Sequence, residues 1–197
     1  MKIPVHILLF LFCLGLFSCH ERARKQEKKP QEFKHAKGFF IQKMEGYKKL
    51  TLLGSNKDSN EKLEYFLVPK KNKIPQKLID RQLIRTPVER IVLTSTSHIP
   101  ILELLEEENS LVGFPNTAFI SSPKTRKRVV ENQVHELGSA QALNTEVVLA
   151  LAPDLVVGFS VGRPDSSFSN LQKRGIPVLL NRDWLEETPL GRAEWIR

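Results

Sequence analysis

The sequence contains little cysteine: its 197 residues include only Cys13 and Cys19, both near the N-terminus. Two cysteines are too few for a disulfide framework or a cysteine-rich zinc cluster. Ten glycines and twelve prolines exclude a collagen-like or low-complexity chain. Long apolar runs are missing after residue 19, which excludes a polytopic membrane protein. The remaining composition, 41% hydrophobic and 26% charged, fits one folded domain or slightly more.

Acidic residues are scarce in the first part of the chain. Residues 20–85 contain 18 Lys and Arg against 8 Asp and Glu, whereas residues 86–197 contain 11 against 14. The net charge of +8 therefore arises near the N-terminus. The densest basic run, residues 22–29, has no aromatic residue for base stacking and no DNA-binding motif after it. We interpret it as a solvated tether, with attraction to anionic lipid headgroups as the sharper alternative; nucleic acid is not expected as a partner.

The one long apolar run covers residues 3–19 and is typical of an export signal. Its core, residues 7–14, has the length of a secretory signal and is too short to span a bilayer comfortably. The run ends in Leu16, Phe17, Ser18 and Cys19, which resembles the lipobox of bacterial lipoprotein signals. The resemblance implies that residues 1–18 are removed, that Cys19 is lipidated, and that the protein is anchored in a bacterial cell envelope, facing the periplasm. An ordinary signal peptide and a retained membrane anchor are the alternatives.

Residues 19–37 are predicted to be a charged tether, and residues 38–85 a short antiparallel β appendage. Three short apolar runs, at 38–45, 48–53 and 63–68, are separated by residues that favour turns.

Residues 86–197 are predicted to form an α/β lobe, Rossmann-like, with a mostly parallel sheet. Short apolar runs predict strands at 90–93, 111–114, 155–158 and 176–181, and amphipathic patterns predict helices at 97–108, 123–131, 145–150 and 166–174. Ser97 and Asn144 are predicted to cap the first and third of these helices. Alternating strands and helices of this kind favour right-handed crossovers.

Ligands of such sheets bind beyond the carboxyl ends of the strands. The loops there contain hydroxyl residues that include Ser95, the imidazole of His98, and the aromatic residues Phe119, Phe159 and Trp184. The hydroxyls suit an anionic or carbonyl-rich ligand, and the aromatic residues suit a large, flat or hydrophobic-edged one. The alternatives are turn hydroxyls, a turn histidine and aromatic side chains partly buried in the core.

Two motifs suggest catalysis or metal binding but lack their required partners. Residues 158–162 match the G-x-S-x-G pattern of serine hydrolases, yet no helix follows Ser160 at once and no histidine occurs after His135. His135 and Glu136 lack the second histidine, one turn later, that a zinc-binding helix requires. The sequence therefore predicts neither an enzyme nor a metal site or cofactor held by protein side chains.

Five stretches of residues 86–197 carry a family resemblance: 90–98 (RIVLTSTSH), 111–114 (LVGF), 144–157 (NTEVVLALAPDLVV), 171–178 (LQKRGIPV) and 188–196 (TPLGRAEWI). Together they resemble the N-terminal lobe of periplasmic binding proteins for ferric siderophores and cobalamin, which deliver solutes to ABC importers. The most specific is the long 144–157 run, followed by the glycine, isoleucine and proline of the 171–178 stretch.

The resemblance implies a lipid-anchored, non-catalytic solute receptor that binds an iron chelate or a corrinoid and docks on an ABC permease. It implies that Glu146 salt-bridges the permease, and that Phe159 and the loop from Asn116 to Phe119 contact the ligand. Members of the family have two lobes, so a chain of this length is expected to be truncated to one, with the second lobe absent. The alternatives are a non-transport envelope lipoprotein, an inert truncated lobe that acts as an interaction module, and an α/β enzyme of the envelope.

Overall fold

The computed structural model describes residues 33–54, 62–140, 142–159 and 166–196. They form a mixed α/β structure around two larger sheets and a two-stranded hairpin. The strands are β1 (Phe39–Met44), β2 (Tyr47–Leu53), β3 (Lys62–Pro69), β4 (Leu83–Thr86), β5 (Ile91–Leu93), β6 (Leu111–Phe114), β7 (His135–Glu136), β8 (Gly138–Ser139), β9 (Ala142–Leu143), β10 (Leu155–Phe159) and β11 (Val178–Asn181).

The larger sheet has five parallel strands in the order β11-β10-β5-β6-β7. This confirms the predicted α/β lobe with its mostly parallel sheet. Its strands are continuous apolar runs because both faces of a parallel sheet are covered. Val92, Val156 and Val178 form one buried row on the face toward the helices of the C-terminal half.

Within the described residues, five α-helices accompany the sheets: α1 (Ile99–Leu104), α2 (Pro123–Val130), α3 (Thr145–Leu151), α4 (Ser166–Lys173) and α5 (Pro189–Ala193). Asn144 caps α3 as predicted, because its Oδ1 accepts a hydrogen bond from the Val147 amide at 3.2 Å. The predicted cap on α1 is wrong: residues 96–98 form a 3₁₀ turn, so the helix begins only at Ile99, and Ser97 pairs with Ser95. Helix α1 also ends earlier than predicted, just before Glu106 at φ 59°.

The smaller sheet has four strands in the order β1-β2-β3-β4. Strands β1 to β3 are antiparallel, as the sequence predicted. Strand β4, which the sequence did not indicate, adds to β3 in parallel.

The smaller sheet shares a buried cluster with the parallel sheet. Its Phe39, Leu52 and Tyr65 belong to the same buried cluster as Leu93 and Leu155 of the parallel sheet. Helices α1 and α2 contribute Ile99 and Val129 to this cluster, whereas α3 and α4 pack on the other face. The N-terminal sheet therefore helps to fill the layer that helices provide in other α/β folds.

A pair of hydrogen bonds ties the two sheets together at β11. The Leu180 amide donates to the buried Tyr65 hydroxyl at 3.1 Å, and Arg182 donates to the Leu53 carbonyl at 3.1 Å. Burial raises the pKa of Tyr65, so the hydroxyl stays protonated.

Two carboxylates near the end of the chain hold the start of the described residues. Glu186 accepts from the amides of Lys37 and Gly38, and Glu194 accepts from those of residues 34–36, at 2.7 to 3.3 Å. Residues 33–37, predicted as tether, are thus attached to the folded lobe. We name these two carboxylates and residues 34–38 the N-terminal latch.

Candidate functional site

The loops after β5, β6, β10 and β11 lie along one edge of the parallel sheet, because all of these strands point the same way. We call it the carboxyl edge. Ser95, Asn116, Phe119, Phe159 and Trp184 all lie at or just beyond it. The sequence therefore assigned these five residues to a common edge of the fold.

At one end of the carboxyl edge, the structure brings Phe159 and Trp184 together. Their ring centroids are 6.3 Å apart in an edge-to-face arrangement, and Phe159 is 41% exposed. Thr94 fixes the end of β10: its hydroxyl accepts from the Phe159 amide at 2.9 Å and donates to the Val157 carbonyl at 3.3 Å. The two rings together form an aromatic surface at this end of the edge.

At the loop after β6, Phe119 stands in solvent with 71% of its surface exposed. Asn116, two residues beyond β6, adopts left-handed backbone at φ 50° and reverses the chain direction. Asparagine tolerates this conformation better than other non-glycine residues. The Asn116 to Phe119 loop therefore presents an aromatic side chain outward at the same edge as Phe159.

His98 lies behind the carboxyl edge rather than on its surface. It is 4% exposed, and its Nε2 lies 2.9 Å from Asn181 Nδ2. Because Asn181 Oδ1 accepts from the Asp183 amide at 2.8 Å, the amide nitrogen is the group that faces the ring and donates to it. His98 thereby connects the turn after β5 to the end of β11, close to Trp184. Ser95 is partly exposed nearby, with its hydroxyl 2.8 Å from that of Ser97.

Acidification is expected to destabilise the fold through His98. Burial lowers the pKa of His98, and the nearby Asp183 carboxylate opposes this effect only in part. The unfolded chain, with a histidine pKa of about 6.5, then binds the proton more readily than the folded state. The free energy of unfolding should keep its maximum value above about pH 6.5. Below that pH it should decrease by at most about 1.4 kcal/mol per pH unit.

Urea unfolding between about pH 7.5 and about pH 5.5 measures this slope. His98→Gln should flatten it, whereas His135→Gln, at an exposed histidine, should leave it in place. An unchanged slope in His98→Gln would contradict the assignment.

Glu146 is exposed in the first turn of α3. Helix α3 runs back along the sheet and leads into β10, so its N-terminal turn points toward the carboxyl edge. Glu146 also lines a surface groove of about 470 Å³ together with Lys173 and Arg174. The Glu146 carboxylate is therefore exposed on the surface of the lobe.

Some of the predicted features lie outside the described residues. These are the signal segment, Cys19, the basic run at 22–29 and Ser160. Among the residues that the structure does describe, no helix is long and apolar enough to cross a membrane. Within the same residues, no three His, Cys, Asp or Glu side chains are grouped in a way that would hold a metal ion.

Sequence reasoning assigned no supporting role to four residues that hold the loops of the carboxyl edge, namely Thr94, Asn181, Arg126 and Glu136. Thr94 and Asn181 carried a usable signal, because a polar residue at the end of a buried strand marks the carboxyl edge. Glu136 was considered only as part of a zinc motif. Arg126 was counted only as one charge of a basic helix.

Comparisons with known proteins agree with this architecture. The sequence profile of the family described as Periplasmic binding protein matches residues 91–197, from the first parallel strand onward. An uncharacterized lipoprotein of Methanocaldococcus jannaschii is 30% identical over 139 residues, which are 68% of this chain and 35% of that protein. A second uncharacterized lipoprotein of the same organism is 23% identical over 122 residues, which are 59% of this chain and 30% of that protein. The chain thus spans about a third of the length of these relatives.

Solved structures with a similar region include the apo form of the periplasmic heme-binding protein RhuT from Roseiflexus sp. RS-1. It is 25% identical, with a TM-score of 0.41 over 49% of this chain and 34% of that chain. The periplasmic vitamin B12 binding protein BtuF of Vibrio cholerae is 18% identical, with a TM-score of 0.42 over 56% of this chain and 46% of that chain.

The profile match covers more than half of the chain and begins where the parallel sheet begins. The resemblance that the sequence indicated is thereby confirmed. This chain belongs to the periplasmic binding protein family.

Proposed function

We propose that this chain is the lipid-anchored, non-catalytic solute-binding component of an ABC importer for a ferric siderophore or a corrinoid. The observation that carries the proposal is the aromatic surface of Phe159 and Trp184 at the carboxyl edge, with Phe119 exposed at the same edge. Family membership supports the binding role, and the resemblance of the sequence to siderophore and cobalamin receptors supports the ligand class.

The chemistry of the edge suits a large ligand with apolar faces and a polar rim. Aromatic rings supply broad contact area, and hydroxyl or amide groups such as those of Ser95 and Asn116 supply orientation. A ferric chelate and a corrinoid both have this character.

The position of Glu146 supports the permease as a partner. It lies toward the same edge as the aromatic residues, so a permease docked there would face the ligand. The two curated relatives are named as lipoproteins, which supports the lipid anchor at Cys19.

Fluorescence titration tests the ligand proposal, because the chain has two tryptophans in different surroundings. Trp184 contacts Phe159 at the edge, whereas Trp195 donates to Glu186 in the N-terminal latch at 2.9 Å. We titrate the chain separately with cyanocobalamin and with ferric desferrioxamine B. One of these two probes should quench the tryptophan fluorescence in a saturable way. The quenching should persist in Trp195→Phe and disappear in Trp184→Phe, the matched control. If neither probe gives a saturable change in fluorescence, the proposal is contradicted.

Replacing Glu146 with glutamine is expected to weaken permease binding and leave ligand affinity unchanged. The carboxylate also favours the helix dipole, so a small loss of stability, about 0.3 kcal/mol, accompanies the change. The measurement is binding to the cognate permease in nanodiscs, beside the ligand titration. The control is Glu107→Gln, at an exposed glutamate before β6 and therefore toward the opposite edge of the sheet. Equal permease binding by Glu146→Gln and the unchanged chain would contradict the docking role.

A further inference from the structure

We propose that Glu136 and Arg126 are positioning residues that hold the 115–120 loop from its two ends, so that Phe119 is presented as a preformed ligand contact. The ligand part of this inference rests on the proposed function; the fixing of the loop does not. Phe119 is 71% exposed, while Ile120 beside it is 1% exposed. The loop thus combines a projecting ring with a buried anchor.

The Glu136 carboxylate holds the first half of the loop through two oxygens. Oε1 accepts from the amides of Asn116 at 2.8 Å and Gly138 at 3.0 Å. Oε2 accepts from the amide of Thr117 at 2.8 Å and from its hydroxyl at 2.6 Å. Hydrogen bonds to an ionised acceptor are stronger than neutral ones. Desolvation raises the pKa of Glu136, but the four hydrogen bonds together outweigh this effect. The pKa therefore lies below its usual value, and the carboxyl group is ionised at neutral pH.

The Arg126 guanidinium holds the second half from α2. Its Nη1 donates to the carbonyls of Ala118 at 3.3 Å and Ile120 at 2.9 Å, on either side of Phe119. Helix α2 is itself fixed at that end, because Ser122 caps it and donates to Glu103 at 2.5 Å. The ring therefore extends from a backbone segment that is fixed before and after it.

This arrangement differs from an incidental exposed phenylalanine. Single exposed apolar side chains are common and need no explanation. Here the Glu136 carboxylate and the Arg126 guanidinium form hydrogen bonds with backbone amides and carbonyls of a six-residue loop. The exposed side chain of that loop is the large aromatic ring of Phe119. Fixing a contact residue before binding lowers the entropy cost of association. The geometry therefore favours a binding role for the ring and a positioning role for its two supports.

Spin labelling tests the positioning without any ligand. Full-length chain in detergent, with Cys13→Ser and Cys19→Ser, carries a single nitroxide through Phe119→Cys or, as control, through Leu104→Cys on α1, where the side chain is 69% exposed. Glu136→Ala and Arg126→Gln should each make the label at position 119 more mobile, which narrows the lines of its electron paramagnetic resonance spectrum. Arg126→Lys should have an intermediate effect. The spectrum of the label at position 104 should not change in any of these variants. Unchanged spectra at 119 in both variants, or equal narrowing at 104, would overturn the inference.

Binding of the two probes, cyanocobalamin and ferric desferrioxamine B, tests what the positioned ring is for. This experiment uses chains without the spin label. Glu136→Ala should weaken probe binding about as much as Phe119→Ala does, roughly tenfold. The double variant should bind only slightly more weakly than either single variant. If Phe119→Ala weakens probe binding and Glu136→Ala does not, the inference is overturned and the proposed function stands. If the unchanged chain binds neither probe, the proposed function fails, and with it the ligand role of the ring; the label spectra still decide whether Glu136 and Arg126 fix the loop.

Discussion

Replacing Glu186 with alanine is expected to lower the free energy of unfolding by about 3 kcal/mol. The Glu186 carboxylate is buried and accepts from the amides of Lys37 and Gly38 and from the indole of Trp195, all at about 3 Å. Alanine would leave these three donors without their acceptor. It would also release the start of β1 from the end of the chain, about 150 residues away.

Urea unfolding followed by tryptophan fluorescence measures the loss. Glu186→Gln keeps one acceptor oxygen and should lose roughly half as much. Glu107→Ala, at an exposed site, should change the free energy of unfolding by less than about 0.5 kcal/mol. Equal stabilities for Glu186→Ala and Glu107→Ala would show that the latch does not support the fold.

Replacing Cys19 with serine is expected to abolish lipid modification completely. Only a thiol can receive the diacylglycerol as a thioether, and a serine hydroxyl cannot take its place. Two acyl chains hold a protein at a membrane stably, whereas one does so only marginally. The sequence supplies its own control, because Cys13→Ser removes the only other cysteine and should leave the lipid in place.

Metabolic labelling with an alkyne fatty acid, followed by mass spectrometry of the mature N-terminal peptide, distinguishes the two variants. Label retained in Cys19→Ser, or an unmodified Cys19 in the unchanged chain, would contradict the lipoprotein prediction.

Local patterns were sufficient for most of the parallel lobe. Four apolar runs predicted strands β5, β6, β10 and β11. A strand of a parallel sheet is apolar throughout because both of its faces are buried, and these runs are too short for buried helices. The cap at Asn144 was also readable, because it depends on residues three positions apart. The shared edge of Phe119, Phe159 and Trp184 followed from strand direction alone.

Other features depend on residues that are far apart in the sequence. Strand β4 is short, and only its partner β3 defines it. The smaller sheet covers one face of the parallel sheet because that face had apolar surface to bury, which no run within residues 38–85 reveals. The sequence placed His98 in a loop, and only the folded chain buries it and brings Asn181 to its ring.

The sequence by itself determined the family and the order of the strands and helices that build the parallel lobe. It also determined the edge of the sheet on which the candidate site lies. These depend on hydrophobic periodicity and caps, whose interactions span only a few residues. Only the tertiary structure decided which side chains at that edge are left exposed and which hold its loops. Glu136 meets the Asn116 loop, and Glu186 meets Lys37, only after the chain has folded, because hydrogen bonds between distant segments depend on how the layers pack.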